Sequence, residues 1–215
     1  MSKSFAIFIT SYNYGEFIGQ AIESVQNQSD PDWQLYILDN GSTDNTYEVV
    51  MPFLSDERIH WRQRPENIGA IPNIIAGFNE ISADYISTLQ ADDWLESNFV
   101  ADAKAAFANP ENQNIPFVAF GWKAVYPKEN GELALERAGI PFPDDFQGKV
   151  FLSPHLTYEN FVSMHNIIFC REKLLSVLPK LANSKISVCI ELLLMQYLEL
   201  LRYFLDVAAN ECVRR

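Results

Sequence analysis

Strand-length segments alternate with helical ones over the first 110 of 215 residues, and this order restricts the fold more than any other feature. "FAIFIT" (5–10) is an unbroken apolar run. "EFIGQAIESVQNQ" follows, with Phe17, Ile18, Ala21, Ile22 and Val25 on one helical face. "WQLYIL" (33–38) reads as a strand. "DNGSTDNTYEVV" supplies a turn, then Ser42, Thr43 or Asp44 as an N-cap, then a helix. "RIHWRQ" (58–63) is short and extended. "NIGAIPNIIAGFNEIS" reads as a helix entered between Asn67 and Pro72, with the proline tolerated in the first turn. "DYISTL" is a further strand, and "ESNFVADAKAAFA" a helix stopped by Asn109-Pro110. Such an order predicts an α/β layer with a largely parallel sheet.

After residue 110 the alternation fails. "FVAFGWKAVYPKENGELAL" reads as one strand running to an Asn130-Gly131 hairpin turn. "GIPFPDDFQGKV" reads as a loop, "YENFV" as a short helix, "NIIFC" as a strand and "REKLLSVL" as a helix. "KISVCIELLLMQYLELLRYFL" reads as a long helix, apolar on most faces and therefore expected to be buried. This second half is expected to pack on the first, giving one domain over 1–215 with halves at 1–110 and 111–215.

Hydrophobic residues make up 48 % and charged residues 20 %, enough for a sizeable core. The net charge of -12 argues against a nucleic-acid partner, which would require a basic face. Cys170, Cys189 and Cys212 lack metal-ligand spacing and are expected to be reduced thiols. The apolar run after Met1 is too short for a signal peptide, and no 18-residue uncharged apolar segment occurs. A cytoplasmic protein is expected, with contact at the inner membrane face left open.

Ligands of open parallel sheets bind outside the carboxyl ends of the strands. Here those ends read Thr10-Ser11-Tyr12-Asn13, Asp39-Asn40-Gly41 and Gln90-Ala91-Asp92-Asp93. Carboxylates gathered on one rim are costly unless a cation or donors answer them. Mg²⁺ or Mn²⁺ suits such a rim, because these ions take one or two carboxylates and complete their shell with water and substrate phosphates. The bland alternative makes Asp92 and Asp93 caps of a helix near 94–99, and Asp39-Asn40-Gly41 an ordinary turn. Glycine-rich phosphate loops, H-E-x-x-H and G-x-S-x-G are all absent. His60, His155 and His165 are scattered and read as structural or surface residues.

Taken in order, these segments resemble family 2 glycosyltransferases. "ITSYNYGEFIGQAIESVQNQ" is similar to that family's opening strand and helix. "LYILDNGSTDNT" is similar to its Val-Asp-Asp-Gly-Ser-Thr-Asp segment, and "RPENIGAIPN" to its Asn-x-Gly segment. "ISTLQADDWL" stands where the family keeps Asp-x-Asp. "FGWKAVYPKENGEL" and "NIIFCREKL" continue the likeness more loosely. The resemblance implies a GT-A-like, Rossmann-type sheet with a smaller acceptor-side portion. It implies sugar transfer with inversion from a nucleoside-diphosphate sugar to a glycan or lipid-linked acceptor, assisted by Mn²⁺ or Mg²⁺, in surface polysaccharide or glycan synthesis.

Residue roles follow from the same resemblance. Asp39 would accept an N–H of uracil or thymine. Thr10 and Tyr12 would flank the base and ribose. Asn67, Gly69 and Arg64 would lie near the ribose or diphosphate. Asp92 would hold the metal, and Asp93 would orient its waters or the donor sugar. Two positions depart from the pattern: Gln90 replaces the first Asp of Asp-x-Asp, and Cys189 occupies the usual place of the general base. Glu191 is the only nearby carboxylate; it reads either as the base or as a solvated helix residue. The alternative is a nucleotide-sugar-binding domain without catalysis. A sugar nucleotidyltransferase fits worse, because "TSYNYGEF" lacks a glycine-rich, arginine-containing loop. The family pattern continues beyond "ECVRR", so truncation is expected. An uncovered late helix would then favour self-association or peripheral membrane contact.

Overall fold

The computed structural model describes residues 3–112, 117–120, 122–127, 133–139 and 167–173. The apolar runs form β1 (Phe5–Ser11), β2 (Gln34–Asp39), β3 (Ile59–Gln63) and β4 (Tyr85–Gln90). Between and after them lie α1 (Ile18–Gln26), α2 (Thr46–Val50), α3 (Ala70–Glu80) and α4 (Phe99–Ala108). Next come β5 (Phe117–Ala119), β6 (Trp122–Pro127), β7 (Leu133–Gly139) and β8 (Ile167–Cys170).

The main sheet has the order β3-β2-β1-β4-β8-β5. β1 pairs in parallel with both β2 and β4, and β2 with β3, while β8 runs antiparallel to β4 and to β5. The chain winds outward from β1 to β3, then returns to lay β4 on the other side of β1. The order therefore reverses between β1 and β4, the place where open α/β sheets form a crevice. A mostly parallel six-stranded sheet with helices on both faces is the architecture that the alternation implies.

Burial explains why these runs are continuously apolar. One face of the sheet presents Phe5, Ile7, Ile9, Leu35 and Ile37 to Ile18, Ile22 and Val25 of α1 and to Val100 and Phe107 of α4. The other presents Ala6, Phe8, Leu38 and Ile86 to Phe78 of α3 and to Ile81. A central strand covered on both sides cannot alternate polar and apolar positions.

Three local expectations are corrected. The helix after Asp92 and Asp93 begins only at Phe99, with Asn98 at its N-cap, so neither carboxylate caps it. Asn45, not Ser42, Thr43 or Asp44, holds the N-cap of α2; Asp44 instead accepts from the Thr46 backbone N–H at 3.1 Å and from the Thr46 hydroxyl. The single strand expected from Phe117 is divided, with β5 in the main sheet and β6 paired to β7 in a separate two-stranded sheet. Phe120, between them, packs on Phe99 at 5.4 Å, which ties the chain to the core where it changes sheets. Cys170 is a buried free thiol. His60 hydrogen-bonds Gln34 at 2.7 Å, a structural role. Cys189, Cys212, His155, His165, the Asn130-Gly131 turn and the late helix lie outside the described residues. Among the described residues, no helix is long and apolar enough to cross a membrane.

Two measurements check this packing. A Cβ on Gly77 would stand 2.7 Å from Leu38 Cδ1 and 2.7 Å from Phe8 Cε2. On Gly19 of α1 it would stand 3.5 Å from Val49 Cγ1, an ordinary contact. Gly77→Ala is therefore expected to destabilise by about 1–3 kcal/mol despite alanine's better helix propensity, and Gly19→Ala to stabilise by up to about 1 kcal/mol. Urea denaturation of both variants reads the contrast, and equal signs would contradict the close approach of α3 to the sheet.

Arg58 donates to Asp56 at 2.7 and 3.0 Å while lying 3.8 Å over the Trp33 ring. The hydrogen bonds from Arg58 outweigh burial and hold the Asp56 carboxyl well below its ordinary value of 3.8. A depressed folded value stabilises above 3.8, and that stability is lost as pH falls through the folded value. Asp56→Asn is expected to cost about 1 kcal/mol at neutral pH, with the gap to the parent closing under strong acid. A gap independent of pH would contradict the pairing.

Candidate active site

At the carboxyl edge of β1, β2 and β4 the backbone leaves the sheet through loops that are tied by side chains. Asp39, the last residue of β2, is completely buried. Its carboxylate accepts from the Ser42 backbone N–H at 2.8 Å, from the Ser42 hydroxyl, and from Gln63 Nε2 at 3.1 Å. Ser42 Oγ in turn accepts the Asn13 N–H at 2.8 Å, and Asn13 Oδ1 accepts the Thr43 N–H at 2.9 Å. Asn13 holds a left-handed backbone, φ 59°, which asparagine tolerates better than most residues. The loops after β1 and β2 are thus locked together.

Asn40 locks the next pair. It is buried, and its amide donates to Asn67 Oδ1 at 2.8 Å and to the Gly69 carbonyl at 3.2 Å. Its Oδ1 accepts the Ile68 N–H at 3.0 Å. Gly41 and Gly69 have φ of 79° and 93°, and a Cβ on Gly41 would press on Glu66 backbone at 3.0 Å. Both glycines are therefore required by conformation.

These loops surround a cleft of about 300 Å³, lined by Thr10, Ser11, Tyr12, Tyr14, Asn40, Asn67, Ala70, Asn73, Ile74, Gln90, Ala91 and Asp92. It opens at the strand-order reversal, with Thr10 of β1 paired to Gln90 of β4. Tyr12 is 42 % exposed, leaving a ring face free for a planar ligand. Ser11 is 3 % exposed and its hydroxyl has no hydrogen-bond partner among the described residues. Asp92 and Asp93 stand side by side, both exposed, in a turn where the Asp93 N–H donates to the Gln90 carbonyl at 3.2 Å. Desolvation by the surrounding protein, and then the charge of Asp92, push the Asp93 carboxyl up from its ordinary value.

Thr10, Tyr12, Asn67, Gln90 and Asp92 therefore gather in one cleft, and Gly69 shapes its wall through Asn40. Asp39, Arg64 and Asp93 are not among its lining residues. Arg64 donates to Asn73 Oδ1 at 2.6 Å and to Glu80 at 3.0 Å. Glu191 lies outside the described residues. Sequence reasoning missed Asn73 and Ser11. Asn73 carried a signal, a polar residue on the face of α3 that also holds Gly77, four residues on.

Which ion such a cleft would hold follows from its donors. No lysine or arginine is among its lining residues. Among the described residues, no group of three or more His, Cys, Asp or Glu side chains converges. A diphosphate beside Asp92 would thus meet negative charge with no cation among the described lining residues to offset it. One or two carboxylates at an open rim fit Mg²⁺ or Mn²⁺, which draw their remaining ligands from water and phosphate.

Comparison with known proteins agrees with this geometry. The profile described as Glycosyl transferase family 2 matches residues 6–162. TuaG of Bacillus subtilis (strain 168), whose name assigns it to teichuronic acid biosynthesis as a glycosyltransferase, is 33 % identical over 89 residues, 41 % of this chain and 35 % of that protein. The match spans about a third of the length of TuaG and of two other curated relatives, and less of several more. The structure of S. aureus TarS 1-349 in complex with UDP-GlcNAc aligns with a TM-score of 0.58 at 15 % identity, covering 82 % of this chain and 46 % of that one. The mannosyltransferase PcManGT from Pyrobaculum calidifontis, in complex with GDP-Man and Mn²⁺, aligns with a TM-score of 0.56 at 15 % identity over the same shares, 82 % and 46 %. At this identity the structural likeness bears on the fold alone, and that fold is GT-A. Matched over 157 consecutive positions, residues 6–162, this chain belongs to glycosyl transferase family 2.

Proposed function

We propose that the cleft binds a nucleoside-diphosphate sugar and that the protein transfers the sugar, with inversion, to an acceptor hydroxyl of a glycan or lipid-linked glycan in surface polysaccharide synthesis. The observation that carries this reading is the cleft itself. It combines an exposed Tyr12 ring, a Ser11 hydroxyl without a partner among the described residues, an Asn67 loop fixed by Asn40, and the Asp92 carboxylate, at the crevice between β1 and β4. The names of the similar proteins support it: one structure holds UDP-GlcNAc and another GDP-Man with Mn²⁺.

In this reading the base stacks on Tyr12 and lies against Thr10. Asp39, completely buried and outside the cleft's lining residues in the ligand-free chain, would accept the imide N–H of uracil or thymine at the one of its about four acceptor positions that Ser42 and Gln63 leave open. Asn67 and Gly69 border the ribose and diphosphate. Asp92 holds Mn²⁺ or Mg²⁺, with Asp93 beside it orienting water or the donor sugar. When bound, the ion supplies positive charge to the departing diphosphate. Glu191 takes the acceptor proton. The acceptor oxygen forms a bond to the anomeric carbon on the face opposite the diphosphate. The anomeric carbon–oxygen bond breaks, and the nucleoside diphosphate leaves with the electron pair.

Titration calorimetry tests the donor side. UDP is expected to bind at least tenfold more tightly with Mn²⁺ than with EDTA, and Asp92→Ala is expected to remove that difference. UDP affinity indifferent to both would rule out the metal role of Asp92. Sugar transfer from a panel of UDP-, dTDP- and GDP-sugars tests the acceptor side. Glu191→Gln is expected to keep nucleotide affinity and lose at least tenfold in transfer, since general bases contribute about 10²–10⁴. Undiminished transfer would remove Glu191 as the base, and tight nucleotide binding without transfer in the parent would favour a binding domain.

A further inference from the structure

We propose that Asn73 is a base-reading residue of the donor cleft, and that Arg64 is the positioning residue that fixes its amide. This rests on the nucleotide-binding reading above and adds a donor that the sequence did not disclose.

The argument begins with hydrogen-bond polarity. A guanidinium has only donors. Arg64 Nε donates to Asn73 Oδ1 at 2.6 Å, so the oxygen of this amide must face Arg64 and its nitrogen must face the other way. The nitrogen donates one hydrogen to the Leu38 carbonyl at 2.9 Å. Its second hydrogen meets no acceptor among the described residues. Asn73 is 1 % exposed, yet it lines the cleft. A buried N–H without a partner is costly, and the cost is removed when a ligand oxygen arrives. A free asparagine amide can present either end; one clamped from behind by arginine presents a donor alone.

Position selects the ligand oxygen. Leu38 lies on β2 and pairs with Thr10 of β1. Asp92 follows β4, on the far side of β1. The two sides of the cleft are thus two strand spacings apart, about 10 Å. A nucleotide whose diphosphate lies near Asp92 brings its base to the β2 side, where Asn73 donates to a ring carbonyl. Arg64 is itself held by Glu80, at 3.0 Å, and by its own N–H to the Asp39 carbonyl at 2.9 Å. With its Nε and one Nη2 hydrogen committed to Asn73 and Glu80, it is assigned a role through Asn73 and not on phosphate.

Calorimetry of UDP and of inorganic pyrophosphate, both with Mn²⁺, tests this on the parent, Asn73→Ala, Asn73→Asp, Arg64→Met and the double variant Arg64→Met/Asn73→Ala. Asn73→Asp keeps the pairing with Arg64 but sets a carboxylate oxygen against the Leu38 carbonyl, so urea denaturation of each variant checks that the fold is kept. The expected result is a loss of about three- to tenfold for UDP in each single variant. The double variant is expected to be no worse than Asn73→Ala alone, and pyrophosphate affinity to be unchanged throughout. In the parent, the side-chain amide NMR signals of Asn73 are expected to shift on adding UDP. Unchanged UDP affinity in Asn73→Ala and Asn73→Asp, with silent amide signals, would overturn the role of Asn73 while leaving the nucleotide site intact. Additive losses in the double variant, or lost pyrophosphate affinity in Arg64→Met, would make Arg64 a direct ligand and overturn its positioning role. A parent that binds none of the UDP-, dTDP- and GDP-sugars would overturn the underlying reading and this one together.

Discussion

Asp39 and Asn40, at the end of β2, satisfy the backbone of the surrounding loops through buried side chains. Asp39 gathers Ser42 and Gln63; Asn40 gathers Asn67, Ile68 and Gly69. Short polar side chains at a strand end can do this because their hydrogen-bonding atoms lie close to the main chain. Without these bonds, the loops after β1, β2 and β3 would have to order themselves on water, and the cleft would lose its wall. The stability of the sheet and the shape of the site thus meet at two adjacent residues.

The cleft has two unlike sides. Toward β2 and α3 it is neutral and amide-rich, with Asn40, Asn67 and Asn73. Toward β4 it is acidic, with Asp92 beside Asp93, whose carboxyl is pushed up by desolvation and by its neighbour's charge. A ligand that is hydrogen-bonding at one end and anionic with a bound cation at the other is complementary to both. Under the proposed function that division has a chemical purpose, the binding of a sugar activated as a nucleoside diphosphate.

Much of the fold was legible because it depends on local pattern. The strands that begin at Phe5, Gln34, Ile59 and Tyr85 lie where apolar or extended runs place them, within a residue. The cleft residues at strand ends were legible through the geometry of parallel sheets. What escaped depends on contacts distant in sequence. The amide of Asn73 is set by Arg64, nine residues earlier, and by Leu38, 35 residues earlier. The bonds from Arg64 to Asn73 and Glu80 likewise join residues that the sequence order does not pair. Asp92 and Asp93 looked able to cap the next helix, but α4 starts at Phe99, after a turn. The division of the strand after Phe117 escaped because one apolar run can serve two sheets.

The central claim is that the β1–β4 crevice is a nucleotide site with its base toward β2 and its diphosphate toward β4. A crystal structure of the chain with UDP and Mn²⁺ tests it most directly. The account predicts uracil between Tyr12 and the Thr10–Asn73 side of the cleft, the diphosphate beside Gln90, and Mn²⁺ about 2.0–2.6 Å from an Asp92 oxygen, the range of hard divalent cation–oxygen distances. Nucleotide bound away from this crevice, or bound within it in the reverse orientation with the metal away from Asp92, would contradict it.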